Sequence, residues 1–235
     1  MRAYVFDLDD TLYDEMTYVH SGFRAVSSYL ADTENIDAIE CETRMRASLI
    51  AYGRGQVFDD VLASYGLLTR KSVNACLSVY RGHVPEIELS PDARACLKRL
   101  YDAGKPVYIV TDGNKLVQLA KLRALGLYES PLIRRSYISR RYGLHNEKPS
   151  PYCFHKITLL EQASPADIVY IGDNPAKDFV GIKPLGFRTV RILRGSHREV
   201  LKPYAYEADF TIDTLDGLEQ RLEAFVTGQE RGIRS

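Results

Sequence analysis

Three short apolar runs in this chain each stop abruptly at a polar cluster, and that repeated ending restricts the fold more than any other feature. Ala3-Tyr4-Val5-Phe6 stops at Asp7-Leu8-Asp9-Asp10-Thr11, Val107-Tyr108-Ile109-Val110 at Thr111-Asp112-Gly113-Asn114, and Ile168-Val169-Tyr170-Ile171 at Gly172-Asp173-Asn174. Four consecutive apolar residues without polar alternation read as strands buried on both faces. Residues 189–192 and 209–212 are weaker runs of the same kind. Helical patterns lie between them, at 91–103, 115–125, 151–161 and 215–225. Ser90 offers the second-strand helix a cap and Pro91 a first residue, while Gly104 and Gly126 offer stops. Strands alternating with helices predict an α/β fold whose parallel sheet is covered on both faces.

Residues 16–87 break this alternation. They show helix-periodic stretches, clearest at 18–31 and 57–65, and no convincing strand. Their place between the first two strands predicts an all-helical insert. The expected division is an α/β core of 1–15 and 88–235 and a helical unit of 16–87. Thr227 onward reads as a loose tail.

With 45% hydrophobic residues, the 235-residue chain can bury a sizeable core. Lys+Arg and Asp+Glu both number 31, so no global charge draws it to nucleic acid or an anionic membrane. It has no long apolar stretch for a membrane span, and an acid interrupts the N-terminus before a signal-peptide core can form. A soluble, cytoplasmic protein is expected. Cys41, Cys76, Cys96 and Cys153 lack paired spacing for zinc or redox chemistry.

In an open parallel sheet, ligands bind at the carboxyl ends of the strands, where Asp7, Asp9, Thr111 and Asp173 can converge. Crowded carboxylates repel unless a cation neutralises them, and oxygen-only ligands favour Mg²⁺. No histidine is clearly part of the cluster; His197 falls in a segment, 194–204, that reads as an exposed loop. Strand alternation turns Asp7 and Asp9 to one side and Asp10 away. One carboxylate can attack phosphorus, and the other can move the proton. The Thr111 hydroxyl and the backbone N–H groups of the turn beginning at Asp112 can hold phosphate oxygens. Lys148, in Asn146-Glu147-Lys148-Pro149, supplies positive charge. Asn174 and Pro175 suit the start of a short helix, with Asp178 facing back toward the metal. Arg134, Arg135, Arg140 and Arg141 read as a solvated basic face.

These four clusters resemble the motifs of the haloacid dehalogenase-like hydrolase superfamily, in the same order. Asp7-Leu8-Asp9-Asp10-Thr11-Leu12 is similar to the first, Thr111 to the second, Lys148 with Pro149 to the third, and Gly172-Asp173-Asn174-Pro175-Ala176-Lys177-Asp178 to the fourth. The resemblance implies a Rossmann-like core with a flap near residues 12–15. It makes 16–87 a cap of the phosphoglycolate phosphatase-like subgroup. It implies Asp7 as nucleophile, Asp9 as acid/base, Thr111, Asp112 and Lys148 around the phosphate, and Mg²⁺ held by Asp7, the Asp9 backbone carbonyl, Asp173 and Asp178. Dehalogenases of the superfamily lack the second aspartate, so Asp9 favours phosphate chemistry.

The reaction expected is Mg²⁺-dependent hydrolysis of a small phosphomonoester through an aspartyl-phosphate. Sugar phosphates, phosphorylated acids and nucleoside monophosphates all qualify as substrates. Two alternatives stay open: a phosphomutase or other phosphotransferase using the same Asp7, and a catalytically silent binding module.

Overall fold

A computed structural model describes residues 1–228 of the chain. Among the described residues, six strands form one parallel sheet: β1 (Ala3–Phe6), β2 (Val107–Thr111), β3 (Arg135–Ile138), β4 (Ile168–Gly172), β5 (Arg188–Ile192) and β6 (Phe210–Ile212). Their order is β3-β2-β1-β4-β5-β6. The winding therefore runs outward from β1 to one edge, then returns and runs from β4 to the other. The switch of direction falls between β1 and β4, where a crevice opens at the carboxyl ends. Phe6 is in register with both Ile109 and Ile171, so the polar residues that follow β1, β2 and β4 emerge at nearly one level.

The three central strands are wholly buried, as uninterrupted apolar runs require. One face packs Ala3, Val5, Tyr108, Val110, Ile168 and Tyr170 against Phe154 and Ile157 of the helix Tyr152–Glu161. Strand β3 was hidden from the sequence reading. It begins at the exposed Arg135, buries only Tyr137 and Ile138, and forms a sheet edge, so one of the four arginines of the expected basic face, Arg135, lies in a strand.

The helix after the insert runs Pro91–Asp102 and buries Ala93, Cys96, Leu97 and Leu100 at helical spacing. Ser90 precedes it but makes no side-chain cap; its Oγ donates instead to Leu12 O (3.2 Å). The helix Lys115–Ala124 is capped by Asn114, whose Oδ1 accepts from Leu116 and Val117 N. No helix forms over 174–178. Asn174 O accepts from Asp178 N in a single turn that goes no further.

The described residues form two compact units, 1–15 with 88–228, and Met16–Ile87. The second unit is built from the helices α1 (Glu15–Glu34), α2 (Ala38–Tyr52), α3 (Val57–Ser64) and α4 (Arg70–Gly82). Its core joins Phe23, Val26 and Leu30 to Met45, Phe58, Leu62 and Cys76. Asp37 caps α2, and Thr69 with Ser72 forms a capping box on α4. No helix among the described residues is long and apolar enough to cross a membrane. Of the expected tail, residues 229–235 lie outside the described residues.

Candidate active site

Asp7 leaves β1 still tied to the sheet, its N–H donating to Ile171 O (2.8 Å). Its buried carboxylate lies 3.0 Å from Lys148 Nζ, and the same ammonium lies 2.8 Å from Asp178 Oδ1. Lys148 Nζ also donates to the Tyr170 hydroxyl (2.8 Å), which donates in turn to Asp178 Oδ1 (3.1 Å). Asp178 Oδ2 accepts from Asn174 N (2.8 Å). Gly172 makes room for this carboxylate: a Cβ there would stand 2.5 Å from Asp178 Oδ2.

One ammonium thus serves two buried carboxylates, with Asp173 beside them. Burial pushes the Asp7 pKa up; Lys148 opposes this, while Asp178 and Asp173 add to it. Burial would lower the Lys148 pKa, but Asp178 and Asp7 outweigh it and hold the amine protonated. Burial also raises Asp173, against its hydrogen bond with His197. Asp7, Asp173 and Asp178 each bring one carboxylate oxygen within 4.8 Å of the others. Three buried carboxylates crowd together there, two of them on Lys148 and the third on His197. That donor set fits a hard divalent cation, which would relieve the repulsion.

Strand alternation fails beyond Phe6, because β1 ends there. The chain turns, and Asp10 takes a left-handed conformation (φ 52°). Asp10 was expected to point away. Instead its carboxylate accepts from Glu15 N (2.9 Å) and Ser196 N (3.3 Å), lines the cavity, and lies beside Asp173 and His197. Asp9 also lines the cavity. Its carboxylate accepts from Gln118 Nε2 (2.8 Å), Lys121 Nζ (2.7 Å) and the Tyr13 hydroxyl. Burial would raise its pKa, but Lys121, Gln118 and Tyr13 overcome that and hold Asp9 ionised.

Thr111 ends β2 fully buried, its Oγ1 accepting from Gln118 Nε2 (2.8 Å). Asp112 accepts from Ser139 Oγ (2.6 Å), Lys148 N (3.2 Å) and Lys177 Nζ (3.2 Å), which ties the second, third and fourth clusters together. Gly113 N, one of the turn amides, donates to Glu147 Oε1 (3.0 Å). These residues surround a cavity of about 370 Å³.

All the sequence-derived candidates, Asp7, Asp9, Thr111, Asp112, Lys148, Asp173 and Asp178, meet in this region. Sequence reasoning missed the side chains that hold them. Gln118 and Lys121 are spaced for one helix face, and Tyr170 sits two residues before Gly172 on β4, so periodicity carried a signal for those three. His197 has none: its segment reads as an exposed loop, yet its Nδ1 lies 2.9 Å from Asp173 Oδ2.

Residues 1–186 match the family model described as haloacid dehalogenase-like hydrolase. The chain is 31% identical to a glyceraldehyde 3-phosphate phosphatase of Methanocaldococcus jannaschii, covering 93% of this chain and 95% of that one. A Pyrococcus furiosus protein of the same name is 28% identical, over 100% and 98% of the two chains. Among solved structures, a phosphatase from Thermococcus onnurineus superposes with a TM-score of 0.58 at 25% identity, covering 94% of this chain and 98% of that one. With its fold, its four clusters and four-fifths of its length in agreement, the chain belongs to the haloacid dehalogenase-like hydrolase family.

Proposed function

We propose that the protein is a divalent-metal-dependent phosphatase of small phosphomonoesters, with Asp7 as nucleophile and residues 16–87 as its helical cap. The observation that carries this reading is the buried cluster in which Asp7 and Asp178 share Lys148 and Asp173 brings a third carboxylate within 4.8 Å of both. Asp7, the backbone carbonyl of Asp9, Asp173 and Asp178 would hold Mg²⁺, which would draw charge from the phosphoryl oxygens.

An Asp7 carboxylate oxygen attacks phosphorus, and the bond from phosphorus to the ester oxygen breaks. Asp9, once it has taken a proton from solvent against the pull of Lys121 and Gln118, gives that proton to the departing alcohol. Water then attacks the aspartyl-phosphate, Asp9 takes its proton, and inorganic phosphate leaves. Lys121 and Gln118 favour the ionised form of Asp9, the form this second step needs. Thr111 Oγ1, Asp112 N and Lys148 Nζ would bind phosphoryl oxygens as charge develops. For the substrate, the names of the relatives favour a short phosphorylated aldehyde or sugar, glyceraldehyde 3-phosphate first.

The test is phosphate release from a panel of sugar phosphates, phosphorylated acids and nucleoside monophosphates, with and without Mg²⁺. Turnover should require the metal and favour the triose phosphate. Isomer interconversion without phosphate release would indicate a phosphotransferase instead. No turnover of any ester would indicate a binding module.

A further inference from the structure

After β5 the chain runs through residues 193–200, and it is fastened repeatedly to groups of the site. Arg194 Nη1 donates to Thr11 O (3.2 Å) and Ser90 Oγ (3.0 Å), and Nη2 pairs with Asp92. Gly195 adopts φ 58°, and a Cβ there would overlap the Asp10 carboxylate. Ser196 N donates to that same carboxylate. His197 then places Nδ1 on Asp173 Oδ2 at 2.9 Å.

A strut supports the segment from below. Arg191 of β5 is buried, with Nη1 on both oxygens of Glu207 (2.9 and 3.0 Å). Its Nη2 donates to His197 O (2.7 Å) and Val200 O (2.8 Å). Burying an ion pair is costly unless the remaining donors are satisfied. Here Nη2 is satisfied by the backbone of His197 and of Val200, while Nε has no partner among the described residues, so the buried pair fixes the chain that bears the imidazole through Nη2. A ligating carboxylate binds its cation more tightly when a hydrogen bond to a neighbour holds its orientation.

We propose that His197 is a positioning residue whose Nδ1–H bond to one Asp173 oxygen presents the other to the divalent cation, and that Arg191 and Gly195 hold the 193–200 segment in place for it. The proposal rests on the reading of Asp173 as a metal ligand. The geometry distinguishes the two ring nitrogens. An asparagine at 197 places its amide nitrogen near Nδ1, and a glutamine places its own near Nε2.

The experiment is calorimetric titration of Mg²⁺ into the metal-free full-length protein, its fold checked by circular dichroism, for His197→Ala, His197→Gln, His197→Asn and Asp173→Asn. The alanine and glutamine variants should bind Mg²⁺ about 10–100-fold more weakly, while asparagine stays within about threefold of the parent. Gly195→Ala should weaken binding too, and combined with His197→Ala should add little, since both act through one carboxylate. Parent-like affinity in His197→Ala, with affinity lost in Asp173→Asn, would overturn the positioning role alone. So would a folded His197→Asn as weak as the alanine variant. Parent-like affinity in Asp173→Asn would instead remove the metal reading itself.

Discussion

The two units of the chain bury different things. In Met16–Ile87 the buried polar residues are three serines, Ser21, Ser27 and Ser48, within an apolar core. In the α/β unit they include Asp7, Asp10, Lys121, Lys148, Asp173, Asp178, Arg191 and Glu207. Buried charges contribute little to stability and often oppose it, so a fold that gathers Asp7, Asp10, Lys148, Asp173 and Asp178 beyond the carboxyl ends of its central strands has been shaped there by chemistry. The helical unit is organised by packing and capping. Mutations should therefore separate: in one unit they alter chemistry more than stability, in the other the reverse.

The widest separation is expected at Asp7. Asp7→Asn should lower turnover by about 10³-fold or more, because an amide is a poor nucleophile. It should leave thermal stability equal or higher, since it removes one of the crowded carboxylates. A large fall in the unfolding midpoint would break the contrast between the units. Lys148→Met should abolish turnover and also destabilise by about 3–5 kcal/mol, because Asp7 and Asp178 would lose their shared cation. Denaturant unfolding without metal measures this, and added Mg²⁺ should recover part of the loss.

In the helical unit, Leu62→Ala should cost about 2–5 kcal/mol through the cavity it leaves. Its Mg²⁺ affinity should match the parent; a shift would show that packing there reaches the metal site. The smallest effect is expected at Asp37, whose Oδ1 accepts from Glu40 N (2.7 Å). Asp37→Ala should cost about 1 kcal/mol, read as a lowered unfolding midpoint with unchanged turnover at saturating substrate.

The same contrast explains what could be read in advance. Strands β1, β2 and β4 were legible because burial on both faces demands uninterrupted apolar residues, and Asp7, Asp9, Thr111 and Asp173 were legible because they lie at or just after the ends of those runs. Strand β3 was not, since a sheet edge tolerates Arg135 and Ser136 in a four-residue strand. Asp10 was misplaced because period-two alternation holds only while a strand continues, and β1 stops at Phe6. The expected helix before Asp178 is a single turn, its Asn174 capping a segment that the packing of Phe179 and Ile182 carries elsewhere. His197 lay beyond local reasoning, because its partner is 24 positions away on another strand end.

The central claim is that Asp7 carries the phosphoryl group, and trapping it is the most direct test. The enzyme is mixed with glyceraldehyde 3-phosphate, or the best ester from the panel, and Mg²⁺, then quenched in acid within a turnover and digested for mass spectrometry. The account predicts a phosphoryl adduct on the peptide containing Asp7, absent from Asp7→Asn. Phosphorylation of a different residue, or undiminished turnover in Asp7→Asn, would contradict it.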